Sequence, residues 1–209
     1  MKHAEWSKDM HNLFTGRLIR LRALEPSDAE TLFRHHQDTE ISRRDARIQW
    51  PRSLADIRRR LETPGEVQST DNIELVITTL DDQVIGGIDV QSTDRRNGTF
   101  SIGIGLTERS AWGKGYAKEA MLLVLRAMFH EWRYQKCNIS VYAFNTRALG
   151  LYRRLGFQEE GRLRRTYFSN GEYHDEICLG VTREEFDARY PEWRVSMTED
   201  LADDTIRHE

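Results

Sequence analysis

Glycines 113 and 115 lie within Ser110-Ala-Trp-Gly-Lys-Gly-Tyr-Ala-Lys-Glu-Ala120, a turn that follows a strand-like run, Phe100 to Leu106, and opens a long amphipathic stretch. Such a glycine pair lets the backbone take conformations closed to residues with a Cβ, so successive N–H groups can converge on one point. A helix beginning near Tyr116 adds its unpaired first-turn N–H groups and the positive end of its dipole. The chemistry is anion binding, and a phosphate or pyrophosphate suits it; the competing reading is a tight packing turn. Two common phosphate loops do not fit. Walker A requires Ser or Thr after Gly-Lys, where this chain has Gly115, and G-x-G-x-x-G would need glycine at Lys118 or at Glu108.

About thirty residues on, Lys136 to Ala143 alternates Cys137, Ile139, Val141 and Ala143 with Lys136, Asn138, Ser140 and Tyr142, which predicts a strand. Asn145 then stands where an N-cap belongs, Ala148, Leu151, Tyr152 and Leu155 share a helical face, and Gly156-Phe157 predicts a left-handed stop with a hydrophobic clasp.

With these segments in view, the loop Trp112-Gly-Lys-Gly-Tyr-Ala-Lys-Glu-Ala120, the run Val141-Tyr-Ala-Phe-Asn-Thr-Arg-Ala-Leu-Gly-Leu-Tyr-Arg-Arg-Leu-Gly-Phe157 and the later Phe168-Ser-Asn-Gly-Glu-Tyr-His-Asp-Glu-Ile177 resemble the GNAT superfamily of N-acetyltransferases. Within it they are most similar to the branch related to ribosomal-protein and spermidine acetyltransferases. The resemblance runs from about Gly16 to Glu185. The family loop usually begins with Gln or Arg; this chain has Ser110, with Arg109 beside it.

The resemblance implies acetyl-CoA as cosubstrate, bound by Arg109, Trp112, Gly113, Lys114, Gly115, Tyr116 and Ala117 at its pyrophosphate, and by Asn145. It further implies that the strands over Thr99 to Leu106 and Lys136 to Ala143 splay apart. Backbone from Ile104, Gly105 and Leu106 would then receive the pantetheine arm and the acetyl carbonyl. Tyr152 matches the family's leaving-group tyrosine: a phenol with pKa about 10 can protonate a thiolate of pKa about 8.5 when held against it. Without that match Tyr152 reads as a core aromatic, Asn145 as a plain helix cap, and Gly103 and Gly105 as packing or bulge glycines.

The resemblance implies direct attack of a primary amine on the thioester, and the lack of an evident Ser-His or Cys-His nucleophile agrees with it; no metal is expected. Glu74 and Asp89 are candidate general bases acting through water; each also reads as a solvated or ion-paired strand residue. The acceptor is expected over Gln37 to Arg52 and Arg164 to Asp175. There Trp50, Tyr167 and Tyr173 could wall a pocket, Asp38, Glu40, Asp45 and Asp175 would favour a cationic amine, and Arg43, Arg44, Arg47, Arg52, Arg164 and Arg165 an acidic acceptor. A protein N-terminal amine or small-molecule amine comes first among acceptors, then a polyamine or aminated antibiotic. A non-catalytic acyl-CoA sensor and a nucleotide-binding domain are the rivals from other classes.

These residues need a sheet with helices to position them, and the chain supplies one. A strand at Leu18 to Leu24 is followed by a capping box, Ser27-Asp-Ala-Glu30, opening a helix to about His36, and by a second helix from Ser53 to about Glu62. Gln37 to Arg52, between them, shows no regular period. Strands at Ile73 to Leu80, Gln83 to Gln91 and Thr99 to Leu106 form a meander turned at Asp81-Asp82 and Asn97-Gly98, and alternating helix and strand follow. The fold class is α/β with a mixed, splayed central sheet flanked by helices. Residues 1–190 make a single domain, and 191–209 read as a mobile acidic tail.

The 209 residues suffice for one substantial core. Thirty-one basic against thirty-four acidic residues give a net charge of −3, which does not favour nucleic acid as a partner. No apolar run approaches membrane-spanning length and the first fifteen residues are not signal-like, so a cytoplasmic protein without a membrane partner is expected. Cys137 and Cys178 read as thiols rather than a disulfide or metal pair, and the seven histidines show no ligand spacing beyond the adjacent His35-His36. A homodimer is an open expectation.

Overall fold

The computed structural model describes residues 12–44, 50–63, 68–69 and 72–194. Strands β1 (Ile19–Ala23), β2 (Gln68–Ser69), β3 (Asn72–Thr79), β4 (Val84–Asp94), β5 (Thr99–Leu106), β6 (Lys136–Tyr142), β7 (Gln158–Ser169) and β8 (Glu172–Thr182) form one mixed sheet. Its order is β1-β3-β4-β5-β6-β8-β7, with the short β2 pairing β3. All neighbours are antiparallel except β5 and β6, which run parallel. The helices are α1 (Ala29–His36), α2 (Thr39–Arg44), α3 (Leu54–Glu62), α4 (Tyr116–Arg126), α5 (Thr146–Leu155) and α6 (Arg183–Arg189).

Strand alternation gives the sheet two unlike faces. Phe100 and Ile102 of β5, with Ile88 and Val90 of β4, face a core that α4 closes. Residues Glu119 through Leu125 of α4 are all buried, so this helix is covered on every side rather than along one stripe. Phe100 meets Phe129 and Tyr134 edge-on, with ring centroids 5.6 and 5.4 Å apart. Register places Glu74, Asp89 and Gly103 side by side on the opposite face, and Tyr142 beside Glu176 further across it.

The one charge on the buried part of α4 has an assignment. Glu119, 6% exposed, accepts the backbone N–H groups of Arg17, Leu18 and Ile19 at 3.0, 2.8 and 3.0 Å. The carboxylate thus pins the start of β1 to the first turn of α4, and charged acceptors of this kind give strong hydrogen bonds. A Cβ at Gly16 would fall 2.5 Å from Glu119 Cδ, so the chain passes this point as glycine.

Several boundaries differ from the sequence expectation. The first helix is entered by a 3-10 turn, Pro26–Asp28, and the carboxylate meeting the preceding backbone is Asp28, which accepts from Glu25 N–H at 2.9 Å, rather than one paired with Ser27. Pro26 pre-sets the turn one residue early. Within the stretch expected to be irregular, α2 forms because Asp38 Oδ1 accepts from the N–H groups of Glu40 and Ile41, both at 3.1 Å. Among the described side chains of α2 only Ile41 is buried, which leaves no apolar period to read. Strand β4 runs to Asp94, past an irregularity after Gln91. The chain continues to pack through Trp193, 4% exposed; residues 195–209 of the expected tail lie outside the described residues, as do Asp45 and Arg47. Cys137 is buried and Cys178 half-buried, both as free thiols.

Replacing Glu119 by Gln puts an NH₂ donor against a backbone donor. We expect this to lower the free energy of unfolding by about 1–3 kcal/mol in urea titrations; an unchanged midpoint would contradict the pinning role. A second expectation concerns pH. Burial raises the Asp28 carboxyl, but the Arg22 fork, 2.8 Å to each oxygen, and the Glu25 N–H outweigh it, so its folded pKa lies below the ordinary value. Such a group stabilises the fold above its unfolded pKa, about 3.9, and the stabilisation is lost as pH falls through the lower folded value. Asp28→Asn should therefore melt below wild type at pH 7, and the gap should narrow as pH falls through and below the ordinary carboxylate range; a gap constant with pH would contradict the pairing.

Candidate active site

The parallel pair β5 and β6 is joined only from Thr99, Phe100 and Ser101 to Lys136, Cys137 and Asn138. Beyond that point β5 stays paired to β4 as far as Leu106, and β6 to β8 as far as Tyr142, so the two halves of the sheet part. Among the described residues no register joins Ile102–Leu106 to β6. Backbone groups along that edge are therefore not used by a ladder to β6, and of them the Leu106 carbonyl accepts from Trp112 Nε1. A cleft of about 640 Å³ takes in the gap and extends beyond it to Glu74, Asp89 and His35, with Ile104 and Gly105 on one wall, Ser140 and Val141 on the other, and Tyr152 and Asn145 at its side.

At the end of β5 the chain enters the glycine turn. Gly113 and Gly115 have φ of +77° and +89°, the left-handed region expected of them, and Gly115 is the N-cap of α4. A Cβ built at Gly113 meets nothing within 4 Å, and Lys114 is exposed beside it. An exposed glycine turn with open space at Gly113, set before an eleven-residue helix, could receive an anion. Trp112 ties this turn to the cleft, its Nε1 donating to the Leu106 carbonyl at 3.0 Å.

The structure brings Ile104, Gly105, Tyr152 and Asn145 together around the cleft, and Trp112, Gly113, Lys114, Gly115, Tyr116 and Ala117 together at the turn, with Leu106 joining the two. Asn145 caps α5, accepting from Ala148 N–H at 3.1 Å. Gly156, at φ +101°, ends that helix, and Phe157 N–H returns to the Tyr152 carbonyl at 3.0 Å. These caps fix the turn of α5 that carries Tyr152, which is 6% exposed and packs 5.8 Å from Phe157 between ring centroids. Arg109 is drawn elsewhere: its guanidinium binds Asp38 and Glu40 of the α2 segment at 3.0 and 2.8 Å and lies 5.7 Å from the Trp112 ring.

The candidate bases are differently placed. Glu74 is paired with Arg60 of α3. Asp89 lines the cleft and folds over Gly103, where a Cβ would sit 2.5 Å from its Oδ1. In the stretch expected to meet the acceptor, Tyr142 and Tyr167 are 4.2 Å apart between ring centroids, with Phe144 and His174 adjoining, and burial raises the Tyr167 phenol. Tyr173 packs on Phe168 instead, both more than half exposed, and Trp50 stands 91% exposed. Asp175 is held below the usual carboxylate range by the Arg165 N–H and then the Arg162 guanidinium.

Five further residues, Arg147, Glu176, His35, Thr107 and Glu108, were given no site role from the sequence. Arg147, in the first turn of α5, lies 4.5 Å over the Trp112 ring and so adds positive charge between the turn and α5. Glu176 lines the cleft beside Tyr142. His35 of α1 hydrogen-bonds Thr107 and Glu108, immediately beyond β5. Spacing gave no sign of these long-range meetings, although Thr107-Glu108 directly follows a strand already assigned to the site. Among the described residues, no group of three or more His, Cys, Asp or Glu side chains could hold a metal ion.

Comparison with known proteins gives the family. The acetyltransferase (GNAT) domain family matches residues 18–158. An uncharacterised N-acetyltransferase of the SPbeta prophage, YokL of Bacillus subtilis strain 168, is 39% identical over 177 residues, 85% of this chain and 97% of the relative. The L-amino acid N-acetyltransferase AaaT of Escherichia coli K12 is 26% identical over 75% of this chain and 93% of its own length. Among solved structures, spermidine N-acetyltransferase from Vibrio cholerae in complex with CoA and spermine superposes with a TM-score of 0.71 at 21% identity, covering 80% of this chain and 97% of that one. The chain belongs to the GNAT acetyltransferases, and it is an N-acetyltransferase.

Gly113→Ala is expected to weaken acetyl-CoA binding about tenfold, because it forces a side chain into the left-handed region and fills the open turn. Isothermal titration checks this; unchanged affinity would remove the turn from the binding site.

Proposed function

We propose that the protein transfers acetyl from acetyl-CoA to a single primary amine by direct attack in the β5–β6 gap. The observation that carries the reading is one continuous cleft that joins the unpaired edge of β5 to Tyr152 and to the polar face of the sheet. Pantetheine would lie along Ile104 to Leu106, with backbone N–H groups polarising the acetyl carbonyl; one such donor is worth about 3 kcal/mol in the transition state. The pyrophosphate would rest on Gly113, Lys114 and Gly115, with Trp112, Tyr116 and Ala117 shaping the turn. Asn145 would meet the cosubstrate from the head of α5. Arg109 would reach it only by giving up Asp38 and Glu40, and Arg147 is the better placed cation. Tyr152 would protonate the leaving thiolate.

The charge pattern favours a small amine or a protein N-terminus over a polyamine. A polycation needs several uncommitted carboxylates, whereas Asp38 and Glu40 hold Arg109, Glu74 holds Arg60 and Asp175 holds Arg162. Asp89 and Glu176 line the cleft and would attract an ammonium group. The name of the L-amino acid acetyltransferase relative points the same way, while the spermidine acetyltransferases support the polyamine alternative.

Acetyl-CoA and CoA should raise the melting temperature and ATP and NAD should not; at a hundredfold excess over Kd the stabilisation is about 2.7 kcal/mol. Thiol release should then depend on an added amine, with glycinamide exceeding spermidine. Tyr152→Phe should lower kcat about a hundredfold with CoA affinity retained. Stabilisation by CoA without amine-dependent thiol release on any acceptor would leave a sensor rather than an enzyme.

A further inference from the structure

A hydroxyl, an imidazole and a carboxylate stand in line at the mouth of the β5 edge. Thr107 Oγ1 lies 2.8 Å from His35 Nδ1, and His35 Nε2 lies 3.0 Å from Glu108 Oε1. Thr107 directly follows Leu106, and both Thr107 and His35 line the cleft. His35 is buried, its side chain 7% exposed, with both ring nitrogens engaged, so the ring cannot turn freely.

From this geometry we infer that Thr107, His35 and Glu108 form a relay that removes the proton from the acceptor nitrogen. The inference rests on the amine-acetylating reading of the cleft.

The hydrogen-bond directions follow from the donors present. A carboxylate only accepts, so His35 Nε2 carries the hydrogen toward Glu108. Nδ1 of the neutral ring is then an acceptor, and the Thr107 hydroxyl donates to it. The hydroxyl's other neighbour, the Ile85 carbonyl at 3.3 Å, already accepts from the N–H groups of Thr107 and Glu108 at 2.9 and 3.2 Å. A lone pair on Thr107 Oγ1 is left for the amine.

As the nitrogen bonds to the acetyl carbon it becomes cationic and must lose a proton. That proton passes to Thr107 Oγ1 while the threonine's own proton moves to His35 Nδ1. The carbon–sulfur bond breaks, and the thiolate leaves with a proton from another donor. Glu108 stabilises the imidazolium, as the carboxylate does in other hydroxyl–imidazole–carboxylate arrays. Thr107 meets the amine, His35 stores the proton, and Glu108 is a positioning residue. Burial lowers the His35 pKa, Glu108 opposes that, and Arg34 and His36 reinforce it, so the ring is neutral and able to accept at pH 7. Asp38 of the segment after α1 is matched by Arg109.

The test compares wild type with Thr107→Val, which keeps the shape and removes the hydroxyl, and with His35→Gln. Thiol release is followed from pH 6 to 10 with glycinamide and with spermidine, alongside KM for acetyl-CoA and the melting temperature. The relay requires kcat to fall about a hundredfold near pH 7, with KM for acetyl-CoA retained and the deficit shrinking as pH rises and solvent base replaces the relay. A deficit equal at every pH would overturn it, because a packing role has no such dependence. Imidazole nitrogen NMR of the wild-type protein, with the His35→Gln variant assigning the signal, decides independently of any acceptor. Hydrogen on Nε2, with an Nδ1 shift that changes in Thr107→Val, supports the relay; hydrogen on Nδ1 overturns it. Turnover of neither probe by wild type would count against the proposed acceptors, and the NMR result would still decide the relay.

Discussion

The parting of β5 from β6 is the constraint on which the rest of the site depends. A sheet normally satisfies each strand on both edges, and an unpaired buried N–H or C=O costs about as much as a lost hydrogen bond. Here each strand keeps its outer partner, β4 or β8, while the inner edges separate after Ser101 and Asn138. The core beneath holds the two halves in place: α4 closes over Phe100 and Ile102, and Leu149 and Leu155 of α5 belong to the same cluster as Ile139 and Val141. The fold therefore maintains an open strand edge at a fixed position, suited to a linear ligand with alternating donors and acceptors.

Two polar contacts relate that position to the glycine turn. Glu119 fixes the first turn of α4 against the start of β1, and β1 is the outer strand next to β3. Trp112 fixes the other side of the turn by donating to Leu106, the last residue of β5. A cosubstrate with a phosphate at one end and a reactive acyl group at the other needs these sites at a set separation. Binding energy from the remote phosphate end can then hold the reacting end in place.

Much of this was legible in the sequence because it is local. Asn145, Gly156 and Phe157 announce both ends of α5, and positive φ at Gly113 and Gly115 follows from their being glycines before a helix. Alternation revealed β5 and β6, while their separation came from the family resemblance, since no local pattern encodes where parallel pairing stops. Contacts between segments distant in the chain were not readable. Arg109, beside Ser110, is given a cofactor role by the resemblance, and its pairing with Asp38 and Glu40, some seventy residues earlier, could not be read from the sequence. His35 looked like one of an uninformative pair until the fold set it against Thr107 and Glu108. Helix α2 was missed because its cap, Asp38, stands ahead of a segment with a single buried apolar residue.

The most direct test of the strand-gap account is amide hydrogen exchange by mass spectrometry, with and without acetyl-CoA. Occupation of the gap should protect residues 102–106 of β5 and 113–117 of the turn, while the β1–β3 ladder, already paired, changes little. Protection of the turn without β5, or protection confined to other strands, would contradict the assignment of the parted strands as the binding slot.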